Sequence, residues 1–242
     1  MAVGERAQHP DARTTAALRE RARSLRHPLT RTLLVLTFTA GLVDAASFLG
    51  LGRVFTANMT GNVVLLGFGV AGSAGLPVAA PLISLGSFVA GAAIGGWIAS
   101  RLQERHPAYL ARTLALETAL LAAAAAVAAA ATVRANSAAA YTVIALLAVA
   151  MGARSATVRR IGVPDLSTTV LTMTLTGLAS DLPVFGGSGR GAARRSSAVV
   201  SMFAGALAGA LLLRQSLALP LALAAALALA AVVVYPLVER TA

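Results

Sequence analysis

No cysteine and no lysine occur in this 242-residue chain, aromatic residues make up 5% of it, and only 12% of its side chains are charged. The missing cysteine excludes disulfides, thiolate metal sites and a thiol nucleophile. His9, His27 and His106 fall in polar stretches and do not cluster, so no metal site is expected. There is no nucleophile–base pair, no phosphate loop and no pair of carboxylates at hydrolytic spacing. Neither a cofactor nor an enzymatic activity is therefore expected. Scarcity of charge excludes more than chemistry. Soluble domains carry about a quarter charged residues, whereas 57% of this chain is hydrophobic and its mean hydropathy is +0.78. So much apolar surface cannot be balanced in water. Lipid must be the solvent.

What charge there is has one dominant sign. All twenty basic residues are Arg and the net charge is +11, a usage that suggests a GC-rich bacterial genome. A nucleic-acid partner is not expected, because a polar fold with interleaved aromatics to present the charge is absent. Arg6, Arg13, Arg19, Arg21, Arg23 and Arg26 sit in a polar arm over residues 1–30. Leu18, Ala22, Leu25 and Leu29 recur there at helical spacing. The arm is either a surface helix against anionic headgroups or a cytoplasmic tail.

Behind the arm, residues 31–240 read as one transmembrane domain. Six segments approach the ~20 apolar residues that a bilayer core demands: 33–51, 79–99, 110–132, 138–157, 197–213 and 217–237. Two more, 54–76 and 166–182, are apolar but carry Thr, Asn and Gly. Arginine placement decides whether these cross. If both dip in and return, 17 Arg lie on the cytoplasmic side and only Arg53, Arg134 and Arg214 outside. Letting either or both cross weakens that asymmetry. The fold expected is an all-α integral membrane protein of six crossings. Each half carries a re-entrant or broken helical segment, and both termini lie in the cytoplasm of a bacterial plasma membrane.

An internal repeat agrees. Ser87-Phe-Val-Ala-Gly-Ala-Ala-Ile-Gly95 aligns without gaps to Ser201-Met-Phe-Ala-Gly-Ala-Leu-Ala-Gly209. Upstream, Thr56 to Gly61 falls opposite Thr172 to Gly177 at nearly the same offset. Two repeats, about 31–132 and 138–237, with three crossings each would be inverted, a plan common in transporters. Gly91/Gly95 and Gly205/Gly209 are small-residue stripes that let helices approach closely, within one chain or between two copies in a homodimer.

The run Ala40-Gly-Leu-Val-Asp-Ala-Ala-Ser-Phe-Leu-Gly-Leu-Gly-Arg-Val-Phe-Thr-Ala-Asn-Met-Thr-Gly-Asn62 resembles the signature of the YoaK family of uncharacterised bacterial multi-pass membrane proteins. Met151-Gly-Ala-Arg-Ser-Ala-Thr-Val-Arg-Arg160 with Thr168-Thr-Val-Leu-Thr172 resembles that family's second motif. The resemblance spans about residues 33–237 and implies six helices. It brings no chemistry with it, and the family's frequent amide pair near positions 154 and 155 is replaced here by Arg154 and Ser155.

Asp44 is the sharpest candidate. It stands past the middle of the first span, where an acidic side chain costs ~2.5–3.5 kcal/mol on insertion scales. It is a proton or cation site, an anchor for the segment that follows, or both. Thr56, Asn58, Thr60, Gly61 and Asn62 form the first candidate pore-lining segment. Ser167, Thr168, Thr169, Thr172, Thr174, Thr176 and Gly177 form the second. Hydroxyls and amides suit a neutral or zwitterionic solute, and irregular backbone at this depth must be satisfied by protein or cavity water. Arg154 either serves as a charge partner or, the commoner use this close to a helix end, snorkels to headgroups. Glu117 is expected to reach the cytoplasmic interface, and Asp181 to pair locally with Arg190, Arg194 or Arg195. Together these residues favour a small-molecule transporter or channel. The alternatives are a membrane-embedded enzyme acting through Asp44 on a lipid-soluble substrate and a non-catalytic assembly protein.

Overall fold

The computed structural model describes residues 27–73, 75–101, 106–161, 171–181 and 191–239. Eight helices are seen among them: α1 (Pro28–Gly50), α2 (Met59–Val70), α3 (Ala79–Arg101), α4 (His106–Ala130), α5 (Ala138–Ile161), α6 (Leu171–Ser180), α7 (Ala192–Leu213) and α8 (Ala218–Glu239). Six are long and apolar enough to cross a membrane: α1, α3, α4, α5, α7 and α8. α2 has 12 residues and α6 has 10, so at about 1.5 Å per residue neither covers a ~30 Å core. The basic arm up to residue 26, Ser167, Thr168, Thr169 and Arg190 lie outside the described residues.

Helix ends run further into the polar flanks than hydropathy alone indicates. α1 begins at Pro28 rather than 33 because Pro is pre-organised for the first helical position. The His27 side chain caps it, accepting from the Leu29 N–H at 3.3 Å. α5 continues through Arg159 and Arg160, and α7 begins before Arg194 and Arg195. Backbone near a membrane surface gains by staying helical while long Arg side chains reach outward.

Glycine contacts fix how the long helices cross. A Cβ on Gly91 would lie 2.1 Å from the Val149 carbonyl oxygen, and one on Gly95 2.6 Å from that of Ala153. The same step of four on both helices makes α3 and α5 parallel. Gly205 against Phe38 and Gly209 against Leu42 make α7 and α1 parallel in the same way. Each crossing also has a glycine from the other side, Gly152 against Phe88 and Gly41 against Met202. Both glycine stripes are thus covered by helices of the same chain. Of the two uses expected for these stripes, packing within one chain is the one these contacts show.

Just beyond α1, Gly52 meets Ala135 just ahead of α5, while Arg154 late in α5 reaches back to Leu36 and Thr39 in α1. α1 and α5 are therefore antiparallel. It follows that α3 starts at the end of the bundle where α1 finishes, and α7 starts where α5 finishes. α2 and α6 each return to the end from which they came.

The packing partners match in pairs. α3 lies on α5 as α7 lies on α1, α4 on α5 as α8 on α1, α2 on α3 as α6 on α7, and α4 and α8 on each other. Between them sits a core of small and branched side chains, among them Leu42, Val43, Leu121, Ile144, Leu147, Leu221 and Ala224. Val63, Phe68, Val89, Trp97, Phe203 and Leu207 are exposed on the outer helices, an apolar surface suited to lipid.

Candidate functional site

The site begins where α1 stops. Gly52 at φ +99° and Arg53 at φ +60° reverse the chain, a turn that suits glycine because it has no Cβ to clash. Residues 54–58 then run back along α1 as a non-helical leg. The rings of Phe55 and Phe48 stack at 4.7 Å. Asp44 stands six residues before the end of α1, so the leg descends roughly 9 Å beside the helix.

Backbone in such a place must find partners in protein, and side chains supply them. Asp44 Oδ1 accepts from the Thr56 N–H at 3.1 Å and the Ala57 N–H at 2.8 Å. Asn62 Oδ1 accepts from the Phe55 N–H at 2.9 Å, and its Nδ2 donates to the Phe55 carbonyl at 2.7 Å. Ser84 on α3 donates to that same carbonyl at 2.7 Å and accepts from Asn62 Nδ2 at 3.0 Å. Asp44, Thr56, Asn62 and Ser84 are all buried. Asp44 thus anchors the segment that follows it, through the backbone N–H groups of Thr56 and Ala57.

α2 then climbs away antiparallel to α3, Asn62 beside Ser84 and Gly69 beside Val78. Asn58 caps it weakly, its Oδ1 3.5 Å from the Gly61 N–H. α6 takes the matching place on α7. Its Gly177 carbonyl accepts from Arg195 Nη1 at 2.7 Å, and Asp181 Oδ2 accepts from the same nitrogen at 2.5 Å. The local ion pair expected for Asp181 is therefore with Arg195.

Between α1, the leg, α2, α6 and α7 lies a cavity of about 620 Å³. Asp44, Asn58, Thr60, Gly61 and Thr172 line it with Phe48, Phe55, Ala57, Val64, Leu65, Leu171, Leu175 and Met202. Met202 is the eleventh of the 22 residues in α7, so the cavity reaches the middle of that helix. The structure therefore brings five sequence candidates together from both halves. Thr56 and Asn62 stand behind the wall, holding the leg. Thr174 is buried outside the lining, and Thr176 turns its hydroxyl back to the Thr172 carbonyl at 2.9 Å. Gly177 packs against the Arg195 guanidinium. The second half reaches the cavity through Leu171, Thr172, Leu175 and Met202 rather than through its Thr176-Gly177 pair.

Asp44 Oδ2 is buried and accepts no hydrogen bond. The other charges deep in the bundle behave differently. Arg154 is bound by Glu117 in a bidentate pair along one guanidinium edge, Nε donating to Oε2 at 2.9 Å and Nη2 to Oε1. Nη1 donates to the Leu36 carbonyl at 2.6 Å and Nη2 to Thr39 Oγ1 at 2.8 Å. Arg154 is 2% exposed and Glu117 0%. Of the two uses expected for Arg154 the structure shows the charge partner and not snorkelling, and it corrects the expectation that Glu117 reaches the interface. Neither side chain could be left alone at that depth, so each takes the other. The knot ties α5 to α1 and α4, and the adjacent Thr157–Thr113 bond at 3.0 Å ties α5 to α4 again. Sequence reasoning also missed the apolar cavity wall, which composition could not separate from ordinary core.

Residues 32–234 match a family described as "Protein of unknown function (DUF1275)", and the chain belongs to that family. Over 151 residues it is 34% identical to the UPF0700 transmembrane protein YoaK of Bacillus subtilis (strain 168). That match covers 62% of this chain and 65% of the relative, just under two thirds of its length. No solved structure matches. The chain is a multi-pass membrane protein of an uncharacterised family.

Proposed function

We propose that this member of a family of unknown function is a small-molecule transporter or channel of the bacterial cytoplasmic membrane, its solute passing through the cavity beside Asp44. The observation that carries the reading is a buried carboxylate with one unpartnered oxygen, set in the wall of a ~620 Å³ cavity that both halves of the chain line. Small-molecule sites are typically about 300–1,000 Å³, largely apolar, with a few placed polar groups. Asp44 is the one titratable side chain among the described residues lining this cavity. That favours a binding carboxylate over the acid–base pair an enzyme would use.

Two inverted repeats would give such a cavity its two sides. The matched packing pairs and the antiparallel course of α1 and α5, the first helix of each half, support that plan. Broken segments of oppositely oriented repeats commonly form transporter sites near the bilayer midplane. The 17-to-3 arginine split supports cytoplasmic termini. The wild type has no cysteine, so single Ala135→Cys and Gln215→Cys variants test the orientation directly. An impermeant thiol reagent should label both in intact cells, and protection of both would reverse the topology. Function is tested by a flux screen on liposomes carrying the purified chain. Solute-specific flux is the expected result. Turnover of a lipid-soluble substrate without flux would replace transport by the enzymatic reading.

A further inference from the structure

We infer that the solute of this cavity carries a protonated amine on an apolar body. The inference rests on the cavity being the solute site proposed above and adds the chemistry of its occupant. Asp44 makes no ion pair among the described residues, and its Oδ1 is fully engaged with the leg while Oδ2 has no hydrogen bond. A buried carboxylate in that state calls for a cation or a strong donor. The protein does not supply it from the neighbouring helix, because the Arg154 guanidinium is committed to Glu117, Leu36 and Thr39.

The wall tells which cation. Besides Asp44, only Asn58, Thr60 and Thr172 bring polar side chains, too few oxygens for a hard metal ion that takes about six to eight. A primary ammonium has three N–H donors, matched by hydroxyl oxygens and by Asp44 Oδ2 once a turn of that side chain brings the buried oxygen to the cavity. The rest of the wall is Phe48, Phe55, Leu65, Leu175 and Met202 among other apolar groups. It can cover a hydrocarbon body, and the aromatic faces attract a nearby positive charge. Val64 and Leu175 are each close to half exposed, at 48% and 47%. The cavity thus opens between α2 and α6 on an apolar surface, an opening that suits an amphiphile.

The test is a binding measurement on the full chain in nanodiscs with four probes of similar size. These are 2-phenylethylamine, phenylalanine, 2-phenylethanol and 3-phenylpropanoate. Saturable binding of the amine, with or without the amino acid, and at least about tenfold weaker binding of the alcohol is expected from one charge-assisted hydrogen bond. The amine-free acid should not bind. This comparison uses the unaltered protein, so it does not depend on any variant folding. Asp44→Asn, which keeps an acceptor for Thr56 and Ala57, should then abolish the preference for amine over alcohol. Equal binding of amine and alcohol, binding of the acid, or binding by neither amine overturns the inference. Amine binding without flux would remove the transport reading and leave this inference standing. Flux of an amine-free solute without amine binding would do the reverse.

Discussion

Two buried charged sites lie within one bundle, and they are built on opposite plans. The Arg154–Glu117 knot is closed: the arginine makes four hydrogen bonds, to Glu117, Leu36 and Thr39, and neither residue lines the cavity beside Asp44. The Asp44 site is half closed, with Oδ1 holding the leg and Oδ2 left over beside about 620 Å³ of space. Charge is expensive at this depth in both cases. Where the chain completes every bond, the expense secures the meeting of α1, α4 and α5. Where it leaves one oxygen open, the proposed solute would complete the site. The contrast separates a charge that holds the bundle from the one on which the proposed function rests.

The largest expected effect comes from breaking the closed site. Arg154→Met or Glu117→Leu alone leaves a buried charge without its counter-ion and should cost about 3–5 kcal/mol. Thermal unfolding followed by size exclusion in detergent would show it. The double variant should recover most of that loss, because an apolar pair of similar volume avoids the desolvation penalty. A double variant as unstable as either single would show that the knot contributes more than mutual neutralisation.

The helix crossings come next. Gly205→Ala would place a methyl 2.0 Å from the Phe38 carbonyl oxygen, and Gly91→Ala one 2.1 Å from that of Val149. Backbone cannot yield as a side chain can, so overpacking should cost about 1–3 kcal/mol at each. Gly86→Ala meets nothing within 4 Å and should be neutral or slightly stabilising in the same assay. Equal effects at Gly86 and Gly91 would contradict the parallel crossing of α3 and α5.

These sites differ in how far the sequence discloses them. Hydropathy finds all six long helices, and within the two polar segments the described residues form only the short α2 and α6. Asp44 and the Thr56–Gly61 run can be read as one site because they are close in sequence and a lone acid in a span needs company. Glu117 and Arg154 are 37 positions apart, so the sequence marks Arg154 as a charge partner without marking Glu117 as the carboxylate it meets. The signal is the presence of Glu117 and Arg154, charges of opposite sign, inside consecutive spans. Gly41 and Gly152 were legible only as isolated glycines. Their role depends on the carbonyls of Met202 and Phe88, which no local pattern marks.

The most direct measurement compares the stability and flux of Asp44→Asn in the same reconstituted preparation. The account predicts a melting curve within about 1 kcal/mol of wild type, because the amide oxygen can still accept from Thr56 and Ala57, together with loss of solute flux. Wild-type flux in a stably folded Asp44→Asn would reduce Asp44 to an anchor for the leg and contradict the account.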